Sequence, residues 1–126
     1  MIRARPYRRI ALAFAAALVA VLAVSPVAAQ PYPNKPVRMI VPFAPGGATD
    51  IIARTVAQKL SDRLGQPVVI ENKPGAGTTI GNAEVAKARP DGYTLLFATT
   101  PFVISQVVYP PLPYDPKKDL APVSLL

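Results

Sequence analysis

The sequence predicts an α/β fold, in which helices cover a parallel β-sheet. Two observations support this prediction. Short strands rich in β-branched residues alternate with helical segments in the order β-α-β-α-β, and each strand is followed by a loop rich in glycine, threonine or proline. Ligands bind such sheets beyond the carboxyl ends of the strands. We therefore expect three loops to converge there: residues 42–49, residues 73–79 and residues 99–101.

A strand, a glycine loop and a helix follow one another in residues 37–64. The apolar run Val37–Val41 has the length and the β-branched composition of a strand. Thr49 or Asp50 is placed to cap the helix, and Gly65 is placed to end it. Apolar residues spaced four apart give this helix one apolar stripe, formed by Ile52, Val56, Leu60 and Leu64.

The glycine pair ahead of this helix indicates an anion site. Amides in the first turn of a helix have no intrahelical partners, and the macrodipole adds about half a positive charge there. Gly46 and Gly47 leave the backbone bare, so a carboxylate or a phosphate can approach these amides. The alternative is that the pair only turns the chain.

Turn residues divide the rest of the sequence into shorter elements. The run YTLLFA is apolar enough to be a strand buried on both faces. We expect a strand at Val68–Asn72, a helix from Thr78 or Thr79 to about Arg89, a strand at residues 93–98, a short helix at residues 102–108, an irregular segment at residues 109–116 and the start of a strand at residues 121–126.

The first 29 residues have the pattern of a secretory signal peptide. Four arginines precede an unbroken apolar run at residues 10–24, and small residues at Val27 and Ala29 predict cleavage after Ala29. The run is too short for a membrane anchor. An adjacent pair of arginines leaves the general secretory and twin-arginine routes both open. We expect a periplasmic protein whose mature chain begins with a mobile lead-in at residues 30–36.

Composition narrows the functional classes. Four of the 14 basic residues and none of the seven acidic residues lie in the signal segment, so the remainder carries a net charge of +3. Its basic residues are scattered without interleaved aromatics, which argues against nucleic-acid binding. Cysteine and histidine are absent, which excludes thiolate metal sites and Ser-His-Asp triads. We expect no enzyme, metal or cofactor; the alternative is a secreted enzyme with Asp50 or Asp91 as base.

One further motif resembles a dinucleotide-binding fingerprint. Residues 75–81, GAGTTIG, lie between a strand and a helix and fit the spacing G-x-G-x-x-x-G. A ribose-binding acid should then end the next strand. That strand instead runs into Thr99 and Thr100, so we do not expect nucleotide binding.

Three motifs together resemble the Bug family of periplasmic solute-binding proteins, the receptors of tripartite tricarboxylate transporters. They are PFAPGGATDIIAR at residues 42–54, ENKPGAGTTIGNAEVAKARPDGYTLL at residues 71–96 and YDPKKDLAPVSLL at residues 114–126. The resemblance implies one lobe of a type II periplasmic binding protein, a two-lobed Venus flytrap. It further implies a monomer that binds a small organic carboxylate, makes or breaks no bond, and delivers the ligand to the membrane permease subunits.

The resemblance also implies the residues of the ligand site. Phe43 would pack against the ligand, the amides of residues 46–49 would face its carboxylate, and Asp50 would hold the loop or a water. The implied contacts are Phe43, Ala44, Gly46, Gly47, Ala48, Thr49, Asp50, Thr99 and Thr100. The second loop departs from the family's usual Gly-Gly-Asn, so contacts there are left open: Gly77, Thr78 and Thr79.

Family members are long enough for two lobes, which this chain is not. Residues 37–120 would form part of the first lobe, and residues 121–126 would begin the strand that crosses to the second lobe. We therefore expect a truncated receptor; the alternative is a non-functional remnant of one.

Overall fold

The computed structural model describes residues 31–126. The expected signal peptide and its cleavage site lie outside these residues. Three strands and three helices alternate along the described chain. They are β1 (Val37–Val41), α1 (Ala48–Leu64), β2 (Val68–Asn72), α2 (Thr79–Ala86), β3 (Thr94–Leu96) and α3 (Thr100–Val108), with a single turn at Ala76–Thr78 ahead of α2.

The three strands form one parallel sheet in the order β2-β1-β3, which confirms the predicted fold class. β1 is the central strand: Val37 pairs with Val68 of β2, and Arg38 pairs with Thr94 of β3. Three of its five residues are completely buried, which makes β1 the core of the lobe: Val37, Ile40 and Val41. Because the sheet is parallel, the loops after all three strands leave from the same edge.

Helix α1 is buried most deeply at alanines, while three residues of the predicted apolar stripe, Val56, Leu60 and Leu64, are half-buried. Ala53 and Ala57 are buried, whereas 56% of the surface of Ile52 is exposed. Small side chains let a helix lie close to its neighbour, so the alanine face gives the closer contact. At the end of the helix, the Ser61 hydroxyl accepts a hydrogen bond from the Val68 amide at 2.8 Å, which fixes the start of β2.

Helix α2 brings the first two loops together. A Cβ on Gly81 would lie 2.8 Å from Cβ of Pro42 and 3.0 Å from the Lys73 carbonyl oxygen, so only glycine permits this approach. The helix ends at Ala86, short of the predicted end near Arg89. Arg89 precedes a proline, and a residue before proline is disfavoured in the helical conformation.

A network of four charged side chains ties α2 to the sheet. Arg38 donates to both carboxylate oxygens of Glu71 at 2.7 Å and to Glu84 of α2 at 2.9 Å. The second oxygen of Glu84 lies 3.4 Å from the Lys73 ammonium. These hydrogen bonds raise the pKa of Arg38, and the Arg38 hydrogen bond lowers the pKa of Glu71.

The elements after α2 differ in part from those that the sequence predicts. β3 has only three residues, all half-buried, and within the described sheet it is an edge strand beside β1; the expectation of a six-residue strand buried on both faces is wrong. The short helix after it is confirmed as α3, starting two residues earlier than expected. The predicted strand at residues 121–126 does not form, and these residues are exposed.

The lead-in, expected to be mobile, is hydrogen-bonded to the turn before β3. The Tyr32 hydroxyl donates to the Gly92 carbonyl at 2.7 Å, and the Tyr93 hydroxyl donates to the Asn34 side chain at 2.9 Å. The rings of Tyr32 and Tyr93 also meet edge to face at 5.0 Å. These contacts anchor residues 31–36 at the sheet edge where β1 and β3 begin.

Replacing Gly81 with alanine should destabilise the lobe. The overlap of the new Cβ with Pro42 and the Lys73 carbonyl costs about 1–3 kcal/mol, which exceeds the gain of about 1 kcal/mol from better helix propensity. Urea unfolding followed by circular dichroism measures the difference.

Gly47→Ala is the matched control. Its Cβ would lie 3.7 Å from the Ala44 carbonyl oxygen, an ordinary contact, and its φ of −78° suits alanine. We expect the stability of this variant to stay near that of the unmodified chain. An unchanged unfolding midpoint for Gly81→Ala would contradict the close approach of α2 to the two loops.

Candidate functional site

The first loop is held by one buried carboxylate. Asp50, in the first turn of α1, accepts three hydrogen bonds of 2.9 Å, from the Gly46 amide, the Arg54 guanidinium and the Asn72 side-chain amide. These donors, Arg54 first, lower the pKa of Asp50 well below its usual range. A buried carboxylate is stable only when it is paired and hydrogen-bonded in this way.

Asn72 connects this carboxylate to the start of the loop. It is the last residue of β2, and its side-chain amide also donates to the Phe43 carbonyl at 3.0 Å. Its side-chain oxygen accepts from Arg54 at 3.2 Å. Because Phe43 and Gly46 are both held, the loop between β1 and α1 has a fixed shape before any ligand arrives. Asn72 is not among the site residues expected from the sequence, although a polar residue at the carboxyl end of a parallel strand is a recognisable signal.

The amino terminus of α1 differs from the predicted cap. The N-cap residue is Gly47, not Thr49 or Asp50, and the helix begins at Ala48. Asp50 reaches further back, to the Gly46 amide, which is therefore already occupied and does not face a ligand. Among the described side chains, none accepts a hydrogen bond from the amides of Gly47, Ala48 or Thr49. Gly47 and Ala48 are exposed, so these donors are available to a ligand.

The third loop leaves from the same edge of the sheet. The Phe97 amide donates to the Ile40 carbonyl at 2.9 Å, which places the end of β3 beside the end of β1. Thr99 is the N-cap residue of α3, and Thr100 is its exposed first residue. No hydrogen bond in the described part of the chain joins either threonine to the first loop.

The second loop forms a left-handed turn. Four successive residues have positive φ: Gly75 at 126°, Ala76 at 44°, Gly77 at 58° and Thr78 at 80°. Ala76 and Thr78 carry a Cβ that disfavours this conformation, so the turn is strained. Thr78 is buried, and Thr79 is the half-buried first residue of α2. Of the three second-loop residues considered from the sequence, only Gly77 is exposed.

Two negative findings apply to residues 31–126. No group of three or more acidic, histidine or cysteine side chains is arranged to hold a metal ion. The helices of this part are also too short or too polar to span a membrane.

Sequence comparisons relate this lobe to transport receptors. The family described as a tripartite tricarboxylate transporter family receptor, TctC, matches residues 52–126. Protein BugT of Bordetella pertussis is 48% identical over 104 residues, which are 81% of this chain and 32% of BugT. A UPF0065 protein of the same species is 44% identical over 112 residues, 86% of this chain and 35% of that protein. The chain thus spans about a third of the length of these relatives.

Solved structures show the same likeness. MatC of Rhodopseudomonas palustris, with bound malate, is 41% identical with a TM-score of 0.67, over 75% of this chain and 33% of MatC. An R. palustris protein with adipate is 42% identical with a TM-score of 0.51, over 52% of this chain and 22% of that chain. The periplasmic binding protein BugD is 57% identical with a TM-score of 0.50, over the same shares.

The fold is therefore part of an α/β periplasmic binding protein. With the family match over more than half of its length, the chain belongs to the tripartite tricarboxylate transporter receptors, the TctC or Bug family. This confirms the resemblance carried by the three motifs.

Asp50→Asn should reduce stability and flatten its acid dependence. Because the folded-state pKa of Asp50 is lowered, its ionised form stabilises the fold above the unfolded pKa of about 4, and this contribution is lost as the pH falls further. The variant should be less stable at neutral pH, and the two stability curves should begin to approach each other below about pH 5 and continue to do so as the pH falls towards the lowered folded-state pKa. Urea unfolding at a series of pH values measures both curves.

Asp62→Asn controls for the loss of one negative charge from the same helix, because Asp62 is exposed and accepts only from Gln58. Its curve should run parallel to that of the unmodified chain. If the Asp50→Asn curve also ran parallel, the carboxylate would not be what holds the loop.

Proposed function

We propose that this chain supplies part of the first lobe of a periplasmic receptor for small organic carboxylates. The observation that carries the proposal is the set of uncapped amides at Gly47, Ala48 and Thr49, which the Asp50 cluster holds in place. Relatives of this chain have been solved with malate and with adipate, both of which are dicarboxylates. A carboxylate at a helix amino terminus is favoured both by the free N–H groups and by the macrodipole.

Energetics indicate how tightly this lobe alone would bind. Two or three amide–carboxylate hydrogen bonds contribute about 1.5–3 kcal/mol each, whereas association costs at least about 4 kcal/mol. The most favourable balance, about 5 kcal/mol, corresponds to a dissociation constant of a few tenths of a millimolar, so this lobe alone should bind in the millimolar range or more weakly. High affinity therefore needs contacts from a second lobe, as a two-lobed receptor provides.

The remaining proposed contacts surround these amides. Phe43 would pack against the carbon skeleton of the ligand. Thr99 and Thr100, at the neighbouring strand end, would offer hydroxyl groups to its polar atoms. The full proposed set on the first and third loops is Phe43, Ala44, Gly46, Gly47, Ala48, Thr49, Thr99 and Thr100, with Gly46 contributing backbone shape and not its amide. Gly77, Thr78 and Thr79 would complete the site from the second loop.

Asp50 would hold the loop without contacting the ligand carboxylate. Its charge is offset by Arg54, and all its hydrogen bonds are made within the chain. The same features make Asp50 a weak base. Asp91 also has a lowered pKa, chiefly because it accepts from the Tyr93 amide in the turn that anchors the lead-in. Neither residue supports the alternative of a secreted enzyme.

The receptor would act by capture and delivery. After export and removal of a signal peptide near Ala29, it would bind its solute as a monomer in the periplasm and present it to the permease subunits of a tripartite tricarboxylate-type transporter. No bond in the solute would change, and no cofactor would be required.

Amide shifts in ¹H–¹⁵N nuclear magnetic resonance test the proposal on the chain purified from the periplasm. Titration with malate or adipate should shift the Gly47, Ala48 and Thr49 resonances with a millimolar midpoint, whereas dimethyl malate, which lacks the charge, should not. No shift at tens of millimolar malate or adipate would overturn the proposal.

A proline substitution tests the role of the amides. Ala48→Pro removes one N–H at the first helical position, where proline is well tolerated, and the extended Gly47 before it accepts a following proline. We expect a loss of affinity of about tenfold, the value of one charge-assisted hydrogen bond. Ala48→Ser keeps the N–H and should bind like the unmodified chain. Equal affinities for the two variants would rule out the amide site.

A further inference from the structure

The sequence of the second loop does not by itself explain the backbone conformation of the loop. Its run of positive φ angles includes Ala76 and Thr78, which pay a steric penalty that glycine would avoid. Backbone strain of this kind persists only where the surrounding structure fixes it, and it is frequent at ligand sites. The contacts that impose this conformation therefore control the shape of the loop.

Three side chains outside the turn hold it. The Asn82 side-chain amide donates to the Thr78 hydroxyl at 3.1 Å. The ring of Tyr109 lies directly against Gly77, and the side chain of Ile80 would be 2.6 Å from a Cβ on Gly75. Of these contacts, only that of Asn82 is a directional bond to the turn.

Asn82 also joins the turn to a distant part of the chain. The same side-chain nitrogen donates to the hydroxyl of Tyr114 at 3.2 Å, and Tyr114 is itself buried. Tyr114 lies in the irregular segment that follows α3. One amide group thus connects the second loop, helix α2 and this later segment.

The hydrogen bonding of Asn82 is incomplete in a way that argues against a purely stabilising role. The residue is completely buried, yet its side-chain oxygen has no partner among residues 31–126; the Thr79 hydroxyl on the same face of α2 has none either. A half-satisfied buried amide is worse for stability than an apolar side chain of the same shape. What asparagine provides here, and leucine could not, is the bond that orients Thr78.

We propose that Asn82 is a positioning residue, which sets the left-handed turn of the second loop through Thr78 and thereby the affinity of that loop for the far end of the ligand. This inference rests on the proposed function, because it takes the second loop as the part of the site that meets a second polar group of a dicarboxylate. Asn82 itself does not touch the ligand.

Four variants separate positioning from simple stability. Asn82→Leu and Thr78→Val keep the number of side-chain heavy atoms and remove the Asn82–Thr78 hydrogen bond. Thr78→Ser keeps the hydroxyl and therefore the hydrogen bond from Asn82. Tyr114→Phe removes the other bond of the Asn82 amide and leaves the loop contact intact.

The readouts are the Gly77 and Thr78 amide resonances with the three-bond coupling that reports φ, the affinity for malate and adipate from the same titrations, and the thermal midpoint. We expect Asn82→Leu and Thr78→Val to shift or broaden the loop resonances and to weaken binding by about threefold to tenfold, the value of a neutral hydrogen bond. Thr78→Ser, which keeps the hydroxyl that Asn82 orients, should keep the Gly77 resonance and the coupling at position 78 close to those of the unmodified chain. Tyr114→Phe should lower the thermal midpoint without moving the loop resonances.

Two outcomes would overturn the inference. Unchanged loop resonances in Asn82→Leu and Thr78→Val would show that Asn82 does not set the turn. Altered resonances with unchanged affinity would show that the turn does not meet the ligand. Failure of the proposed function looks different, because the unmodified chain would then show no shifts at Gly47, Ala48 and Thr49 with either acid.

Discussion

The carboxylate of Asp50 is the group on which the geometry of the first loop depends. Its three donors come from the loop, from one turn further along α1 and from the end of β2. They can meet only because α1 lies close to the sheet, and it lies close because its buried face consists of Ala53 and Ala57. The packing of α1 on the sheet therefore also sets the geometry of the candidate site. A bulkier helix face would move Asp50 away from Asn72.

The second loop differs from the first in its backbone strain and its hydrogen bonding. The first loop is held by the Asp50 carboxylate, which has three donors, whereas the second combines strained residues with two buried oxygens, of Thr79 and Asn82, that have no partner among residues 31–126. Its base is nevertheless firm, because Gly81 lies against Pro42 and the Arg38 network fixes α2 to β1 and β2. A rigid first loop beside a strained second loop would allow one end of a ligand to be held uniformly while the other end is discriminated.

The sequence correctly predicted those elements whose formation depends mainly on residues close together in the chain. The β-branched runs became β1 and β2 with the expected bounds, and the glycine loop between β1 and α1 leads into a helix that no described side chain caps. Predictions failed where the structure depends on packing or pairing with another part of the chain. The most deeply buried residues of α1 were missed because alanine adds little to an apolar stripe. Residues 121–126 form no strand, since the sheet of the described residues consists of β2, β1 and β3 and offers them no pairing. Asn82 was missed because nothing in its surrounding sequence distinguishes a buried amide from an exposed one.

The hydrogen bonds of the lead-in have a practical consequence. Tyr32 and Asn34 hold the start of the described chain at the edge where the strands begin, and the loops of the candidate site leave from the opposite edge. The end of the sheet held by Tyr32 is therefore separated from the candidate site by the full length of the strands. The protein could be immobilised by that end while its site still faces the bulk solution.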